Sequence, residues 1–497
     1  MKQIYSLLFF IILGFHVQGQ SDFYNSDAIQ TVRITFEADN WKYLLDSLRY
    51  NGEERLAADL SINNTAVSGA SVRYRDSRSF TPNSRRNGLF IQLEGNDYQG
   101  YSTIDLSSAL RDPSLIREVL AREIASSYFH TPAANFANVY INDEYYGLFI
   151  NIEPIEAPFL TNAYGQEGGH VIYANPDIGN TPPEGCRKKV YGSLQFEKSY
   201  DCVEHNFDAL QGDISPVREI AYALTNSTAS VDKIMDTDAA LWMMAFNNVL
   251  VNLHSYSGQY ANNYYLYRAD DKKFRFILGE LNLAFGSYKN DGKTASDLRT
   301  PQLLQLPTGL HSNNSERPLI KTLLANPFYL KQYHAHIRTI LVEWVLSGKL
   351  ENRAKALQTL ISSAVEMDNG KYYDNTEFKN SLTETTGTRS RIPGLLAFMD
   401  KRANWLSSNE VYTLLPPVVS EVGVKGRERF SNKMLNSFNV HATVSGFPKK
   451  VYVYYRFNNN GPFSQMEMVD DGEHQDGKKS DGEYGAVLTP GERETTV

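Results

Sequence analysis

The chain has 497 residues, of which 42% are hydrophobic and 21% are charged, and it carries a formal net charge of -8 at pH 7. These proportions are typical of a globular protein and exclude an intrinsically disordered chain, while the negative charge argues against a general nucleic-acid binder. A chain of this length is too long for one hydrophobic core, so two or three domains are expected.

The N-terminal residues are typical of an export signal. Lys2 supplies the positive start, residues 5–15 form an apolar run, and residues 17–19 offer a small-residue cleavage site. The run is too short to span a membrane, and no later apolar stretch approaches the length of a span. A buried first strand or helix is the alternative. We therefore predict a signal peptide at residues 1–19, no lipid attachment because no Cys follows it, and a secreted or cell-surface protein.

Strand patterns dominate the chain up to residue 152, with two helices among them. Alternating apolar residues predict strands at 31–36, 57–62, 70–74, 89–93, 136–141 and 146–152. One helix is predicted at residues 40–50, whose apolar residues share a face. A second helix is predicted to begin with Asp112 as its N-cap and Pro113 at its first position.

Helical patterns follow the cysteine-containing segment. They predict helices at residues 239–251, 319–350 and 353–367. Two aromatic-rich strand candidates lie between the first and second of these helices, within residues 252–286. A series of strands followed by helices indicates an α+β fold.

The two cysteines, Cys186 and Cys202, lie sixteen positions apart in a segment rich in charges and turns. In an oxidising compartment one disulfide is the natural interpretation, and it would stabilise the fold by roughly 3 kcal/mol. Two free thiols are the alternative. A metal site is least favoured, because no pair of His residues lies nearby.

The C-terminal part is predicted to be a separate module. Two prolines at 416–417 mark a linker, and residues 438–444 and 450–457 alternate as the strands of a β-sandwich do. The Asp-Gly pairs within residues 470–485 are typical of tight turns; calcium binding is the alternative, although their spacing does not fit an EF-hand. We predict an Ig-like sandwich at residues 411–497, incomplete or truncated in its last sheet, with adhesion or spacing as its role.

Four polar residues lie at or near the ends of the two strand candidates: His254, Asn263, Glu280 and Asn282. Rigid strands often present oxygen and nitrogen ligands to metal and phosphate in this way. Glu280 interrupts an apolar run, where a carboxylate is costly unless it is paired or bound to metal. Hydrogen bonds to neighbouring backbone are the structural alternative for Glu280, and His254 alone is more typical of a packing residue than of a ligand.

A set of short motifs occurs in one order between residues 32 and 285. They include Val72-Arg-Tyr-Arg75, Tyr146-Gly-Leu-Phe149, Phe246-Asn-Asn-Val-Leu-Val-Asn252, Ser255-Tyr-Ser-Gly258, Asn263-Tyr-Tyr-Leu-Tyr267 and Leu281-Asn-Leu-Ala-Phe-Gly286. In this order they resemble the CotH kinase family, atypical protein kinases first associated with spore coats. The resemblance implies a two-lobed, kinase-like domain, which we assign to residues 28–410. It also implies transfer of the γ-phosphoryl group of ATP, with Mg²⁺ or Mn²⁺, to Ser or Thr of exported or surface proteins.

The resemblance further implies roles for individual residues. They are His254 at the phosphoryl-transfer centre, Asn263 and Glu280 at the metal, and Arg86, Gln92, Glu118 and Glu153 around the nucleotide. Glu118 would take the place of the ion-pairing helix glutamate of kinases, with a solvated helix face as the alternative. Glu153 would lie at a hinge near the base, with a turn-forming role as the alternative. Lys198 resembles a basic element of the family, although a surface role is favoured.

Several of these residues depart from the family's pattern. His254 stands where the family has an Asp, Glu280 where it has a metal-binding Asp, and Gly279 where Trp is usual. Arg86 and Gln92 replace lysines of the family's first lobe.

These substitutions differ in how strongly they would impair metal binding and phosphoryl transfer. Glu280 can coordinate Mg²⁺, although its extra methylene shifts the ion by on the order of 1 Å, and a shift of that size can cost about 100-fold in rate. His254 can accept a proton but supplies no negative charge to hold a cation, and Gln92 cannot neutralise a phosphate as Arg86 could. We therefore expect an altered or degenerate kinase that binds ATP and metal. The alternative is a non-catalytic surface binding or assembly protein that keeps the fold.

Overall fold

The computed structural model describes residues 23–75, 80–84, 86–179, 181–197, 199, 201–228, 231–414, 416–427, 437–446, 448–457 and 460–489. The predicted signal peptide at residues 1–19 and Lys198 lie outside the described residues.

Seven strands form a closed barrel in the N-terminal part. They are β1 (Ile29–Thr35), β2 (Leu56–Ile62), β3 (Thr65–Tyr74), β4 (Leu89–Leu93), β5 (Thr103–Ser107), β6 (Ala134–Ile141) and β7 (Glu144–Ile152). The order around the barrel is β1-β2-β3-β4-β5-β7-β6, and the parallel pairing of β1 with β6 closes it. Because side chains alternate along each strand, one set fills an apolar barrel core and the other set faces outward. Arg73, Phe90 and Asp105 belong to the outward set and lie in one row across β3, β4 and β5.

A second sheet follows the barrel and carries the candidate site at one edge. Its strands are β8 (His170–Ala174), β9 (Phe207–Gln211), β10 (Tyr264–Arg268) and β11 (Phe274–Leu278). They pair antiparallel in the order β11-β10-β8-β9. The face that includes Leu266 and Phe276 packs into the largest apolar core of the protein. Asn263 directly precedes β10, and Glu280 is the second residue after the end of β11.

Most of the helices supply the rest of that core, whereas the first packs on the barrel core and the third on a smaller apolar cluster. They are α1 (Trp41–Asn51), α2 (Arg117–Ser126), α3 (Ala157–Tyr164), α4 (Asp201–Glu204), α5 (Pro216–Asn226), α6 (Val231–Ile234), α7 (Thr237–Val249), α8 (Thr300–Leu304), α9 (Pro318–Ala325), α10 (Pro327–Ile340), α11 (Lys349–Met367), α12 (Asn375–Asn380), α13 (Leu395–Ser407) and α14 (Glu410–Thr413). A π-helical turn at Leu341–Leu346 continues α10. The helix predicted at 319–350 is thus divided, because the Asn326 side chain accepts a hydrogen bond from the Phe328 N–H (2.9 Å) and Pro327 starts a new helix.

The predicted start of α2 is wrong by four residues. The helix begins at Arg117, and Asp112 acts across an intervening turn. Its carboxylate accepts hydrogen bonds from the backbone N–H groups of Ser114 (2.9 Å) and Arg117 (2.8 Å). Asp112 therefore accepts a hydrogen bond from a backbone N–H at the N-terminal end of α2, although it is not the residue that directly precedes the helix.

The predicted disulfide is confirmed. Cys186 and Cys202 are bonded, with their Cα atoms 5.3 Å apart. The segment that the disulfide closes contacts the second sheet, because Gly192 and Ser193 accept hydrogen bonds through their carbonyl groups from the hydroxyls of Tyr264 and Tyr256. The disulfide therefore closes a segment that packs behind the candidate site.

The described C-terminal residues form two small sheets. Their strands are β12 (Val418–Arg427), β13 (Phe438–Ser445), β14 (Val451–Tyr455), β15 (Ser464–Met468) and β16 (Glu483–Leu488), with β12-β13-β16 in one sheet and β14-β15 in the other. The Asp476 carboxylate accepts hydrogen bonds from the N–H groups of Asp471, Gly472 and His474. Asp470 likewise accepts from the N–H groups of Ser480 and Gly482. These contacts match the predicted tight turns, while the Ig-like assignment and the domain boundary stay predictions.

The α+β prediction is confirmed by this arrangement of sheets and helices. None of the described helices combines the length and apolar character that a membrane crossing requires.

Candidate functional site

The structure brings His254, Asn263 and Glu280 together at one edge of the second sheet. His254 lies in the loop that follows α7, and the other two flank the paired strands β10 and β11. The fourth predicted residue, Asn282, is half-buried and lies in the turn just after Glu280. The sequence predicts this grouping correctly, because residues at the ends of paired strands are neighbours in space.

The Asn263 side chain joins the other two residues. Its Nδ2 donates its two hydrogens to the His254 carbonyl (2.7 Å) and to the Glu280 carbonyl (2.7 Å), and it also lies 3.2 Å from His254 Nδ1. Its Oδ1 accepts the Glu280 N–H at 2.8 Å. Asn263 has a φ of 60°, a left-handed conformation that Asn adopts more readily than most residues. The amide thus serves as a brace between two loops.

The residue before Glu280 must be glycine for this brace to form. A Cβ atom at Gly279 would lie 2.2 Å from Asn263 Oδ1 and 2.6 Å from the Asn263 carbonyl oxygen. A Trp, which the family pattern has at this position, cannot be accommodated here. Asn263 can therefore brace the two loops only because the Trp of the family pattern is absent from this position.

The contact with the Asn263 amide also limits the protonation of His254. Because Asn263 Nδ2 is the donor, the Nδ1 atom of His254 is the acceptor, and a neutral ring then carries its proton on Nε2. Accepting a proton at Nδ1 would break this contact. The ring also stacks on Tyr288, with their centroids 5.5 Å apart. In this arrangement Nδ1 of His254 faces the Asn263 amide, and the catalytic role of His254 stays a prediction.

Glu280 is bound by Arg75, which the sequence did not assign to the site. Arg75 follows β3, and its Nη1 donates to Glu280 Oε1. Its Nε and Nη2 both donate to Asp105 on β5, with Nη2 2.8 Å from Asp105 Oδ2. The two-pronged contact with Asp105 is the geometry that a guanidinium favours with a carboxylate. All three side chains are mostly buried, at 15% exposed for Arg75, 19% for Asp105 and 24% for Glu280.

The charges of Arg75 and Glu280 are mutually stabilised. Burial acts to lower the pKa of Arg75, but Asp105 and Glu280 raise this pKa well above its ordinary value. Burial likewise acts to raise the pKa of Glu280, yet the Arg75 guanidinium brings it below the ordinary value. Both groups are consequently charged at neutral pH.

A second ion pair supports the Glu280 loop from behind. Glu118 on α2 accepts from Arg122 (2.7 Å) and from the Leu281 N–H (2.6 Å), and Arg122 donates to the Gly279 carbonyl at 2.9 Å. Glu118 is only 1% exposed, so the alternative of a solvated helix face is wrong. Burial raises the pKa of Glu118, and Arg122 partly opposes that effect. The pair holds the backbone on both sides of Glu280.

The remaining residues predicted at the nucleotide have internal partners. Arg86 is 1% exposed and forms an ion pair with the fully buried Asp368 at 2.5 Å. Gln92 donates to the Ser102 carbonyl at 3.1 Å. Glu153 accepts from the Ala133 N–H (2.7 Å) and from the hydroxyl of Tyr101. Their nucleotide roles stay predictions.

Three of the four candidate residues offer atoms that are already engaged and do not fit a resident Mg²⁺ or Mn²⁺; Asn282 Oδ1 is the exception, because it is buried without a hydrogen-bond partner among the described residues. These ions require several freely available oxygen ligands in a regular arrangement. Asn263 Oδ1 points at a backbone N–H, His254 Nδ1 faces an amide N–H, and one oxygen of Glu280 is paired with a guanidinium. The positive charge at this place is already supplied by the protein.

Comparison with protein families agrees with the order of motifs along the chain. The model of the CotH kinase protein family matches residues 66–406, which include the last five strands of the barrel, the second sheet and the helices up to most of α13. A search of curated proteins finds no match. Since the matched region covers more than half of the chain, this protein belongs to the CotH kinase family.

Proposed function

We propose that this protein is an exported, non-catalytic member of the CotH kinase family that keeps the family's fold to bind or assemble other proteins at the cell surface. The barrel and the helix-rich part with the second sheet would serve as the two lobes of that fold. The C-terminal sheets would act as an Ig-like module for adhesion or spacing. The export signal predicted from residues 1–19 would bring the protein to that location.

The observation that carries this proposal is the bracing role of Asn263. Its amide uses both its oxygen and its nitrogen to fix His254 and Glu280, the residues that stand at the catalytic and metal-binding positions of the family. A metal ligand must offer its oxygen to the ion, whereas Asn263 Oδ1 accepts a backbone N–H at 2.8 Å. These side chains support a structural unit better than a reacting one.

Charge around the site supports the same proposal. Two carboxylates (Asp105 and Glu280) face the single guanidinium group of Arg75, so this group of side chains is negative as a whole. A triphosphate that approached without a metal ion would be repelled by this charge. Arg86, the cation that could have neutralised it, is buried against Asp368.

The competing candidate is a kinase of altered activity that binds ATP with Mg²⁺ or Mn²⁺ and phosphorylates Ser or Thr of exported or surface proteins. Family membership favours it. It would require Asn263 and Glu280 to release their present partners and turn towards a metal ion.

Thermal unfolding of the purified secreted form separates the two candidates. A ligand that binds the folded state raises the melting temperature by an amount that grows with the ratio of its free concentration to its Kd. We expect ATP with Mg²⁺ or Mn²⁺ to give no greater stabilisation than ATP or the metal alone. A rise that appears only with ATP and metal together would favour the kinase, and the variant carrying both H254D and E280D would then be expected to gain phosphoryl transfer.

A further inference from the structure

We propose that the groove between α10 and β14 binds an acidic segment of another protein, which inserts one apolar side chain into it. We rest this inference on the proposed function and deepen it, because the groove gives that function a surface and its partner a chemistry. The groove is defined by Trp242 on α7, by Phe328 and Ala335 on α10, and by Tyr452 and Tyr454 on β14.

The groove is separate from the site around His254. Trp242 lies in the N-terminal half of α7, whereas the loop of His254 follows the C-terminal end of that helix. The groove has a volume of about 660 Å³, a size typical of ligand pockets in proteins. It therefore has room for a side chain together with part of the chain that carries it.

Contacts between the two walls fix the shape of the groove. Tyr452 packs edge-on against Phe328, with their ring centroids 5.4 Å apart, and the Gln332 side chain donates a hydrogen bond to the Tyr454 hydroxyl. A preformed groove spares a ligand the entropic cost of ordering the walls, which favours affinity.

The surroundings of Trp242 favour a peptide over a sugar. Tyr128 and His336 both stack on its indole, with centroid distances of 4.5 Å and 3.6 Å, and two rings this close must lie on opposite faces. His336 is held there by Asp238, whose Oδ1 lies 2.8 Å from His336 Nε2. Sugar rings are commonly bound by stacking on an open aromatic face, and both faces of Trp242 are covered. Trp242 instead offers the groove an apolar edge, which suits an aliphatic or aromatic side chain.

Lysines give the groove an excess of positive charge. Lys331, Lys449 and Lys450 line it, and Asp238 is the one acidic residue among the described residues that line it. Lys450 pairs with Glu467 at 2.9 Å. Lys331 and Lys449 are exposed and have no ion-pair partner within the part of the chain that the structure describes. An apolar cavity beside two unpaired lysines is complementary to a segment that carries Asp or Glu next to an apolar residue.

Fluorescence polarisation on the full secreted protein tests the inference with labelled peptides that carry one central Leu, Phe or Trp between runs of Glu. We expect the wild type to bind at least one of these peptides about ten-fold or more tightly than its matched peptide with Lys in place of Glu, or with Gly at the centre.

Two variants locate the binding in the groove. A335W should abolish it, because the exposed Ala335 lines the groove and a larger side chain there occupies the cavity without entering the core. K331Q/K449Q should weaken it about ten-fold at low salt, where charges act most strongly. The matched control K401Q/K479Q removes two exposed lysines that do not line the groove, and it should bind as the wild type does.

The inference is overturned if no Glu-flanked peptide binds better than its Lys-flanked match, or if A335W and K331Q/K449Q both bind like the wild type. Binding of alginate, an acidic polysaccharide, that A335W abolishes while no peptide binds would assign the groove to a glycan and contradict the inference. Should A335W fail to fold, K331Q/K449Q decides alone, since its two lysines are exposed. Phosphoryl transfer by the wild type would count against the proposed function and would leave these peptide affinities unchanged.

Discussion

At the scale of single residues, Asn263 shows how a side chain expected to bind metal can instead hold a fold together. Its three hydrogen bonds connect the loop of His254 with the loop of Glu280. Both the oxygen and the nitrogen of its amide already form hydrogen bonds within the protein, which leaves little capacity for binding a ligand. Its conformation and its contacts point to the same structural role.

We predict that N263A lowers the free energy of unfolding by about 3 kcal/mol, since each lost buried hydrogen bond contributes about 1 kcal/mol. Denaturant unfolding of the purified protein measures this loss. The matched control is N64A, because Asn64 is an exposed Asn in the same left-handed conformation, with a φ of 67°. Equal losses in the two variants would show that only the backbone conformation matters and that Asn263 is not a brace.

His311 provides a second residue-scale support, and this one responds to pH. Its Nε2 donates to the carbonyl groups of Ser257 (3.1 Å) and Asp291 (2.9 Å), while its Nδ1 accepts from Asn314 at 3.0 Å. Burial, helped by the nearby Arg317, lowers the pKa of His311 from 6.5 to about 4. The neutral ring thereby fixes the loop just after His254.

The lowered pKa predicts a loss of stability in mild acid. Between pH 6.5 and pH 4 the unfolded chain gains a proton at His311 that the folded protein does not bind, so the stabilisation present above pH 6.5 declines as the pH falls. A difference of this size corresponds to about 3 kcal/mol. We expect the wild type to lose this much more than H311N between pH 7 and pH 4 in denaturant unfolding. Parallel pH curves for the two proteins would contradict the assignment.

At the scale of secondary-structure elements, the disulfide-closed segment stands out because it lies behind the site. Cys186 and Cys202 close it, and its carbonyl groups at Gly192 and Ser193 accept hydrogen bonds from tyrosines of the second sheet and its preceding loop. The segment therefore connects a covalent constraint with the elements that position Asn263.

We predict that reduction of this disulfide lowers the free energy of unfolding by about 3 kcal/mol, the loop-entropy contribution for a loop of this length. Denaturant unfolding with and without a phosphine reductant measures the change. The variant C186S/C202S should show the same lower stability and should not respond to the reductant. A wild-type protein that unfolds identically in both conditions would contradict the prediction.

The elements also show where local patterns are sufficient and where they fail. Strand alternation locates the barrel strands closely, because one face of each strand is buried in the barrel core. The start of α2 and the division of the long helix at Asn326 were missed. Asp112 caps its helix across a turn, and Asn326 with Pro327 ends one helix while starting the next. Both depend on where the backbone turns, which apolar periodicity does not reveal.

At the scale of the whole molecule, some site residues can be predicted from their position along the chain, whereas others come together only through contacts between distant parts of the chain. His254, Asn263 and Glu280 were predicted together because they flank one strand pair. Arg75 was noted only as part of a family motif, and Asp105 was not noted, because Arg75 reaches Glu280 from the barrel across to the second sheet and Asp105 is linked to the site only through Arg75.

Arg86 shows how a distant contact determines the surroundings of a predicted site residue. Its position in the family pattern suggested a phosphate ligand, but its partner Asp368 lies 282 positions later in the chain, at the end of α11. No local pattern predicts that an arginine will be enclosed by a distant helix end. The resemblance therefore identified the family correctly, while the contacts of each site residue depended on long-range packing.

The central claim is that His254, Asn263 and Glu280 form a braced structural unit that does not transfer phosphate. The most direct measurement is incubation of the secreted protein with γ-³²P-labelled ATP and Mg²⁺ or Mn²⁺, using casein as a generic Ser/Thr acceptor and E280A as the control. We predict that neither casein nor the protein itself is labelled above the level of E280A. Labelling of Ser or Thr by the wild type that E280A abolishes would contradict the account.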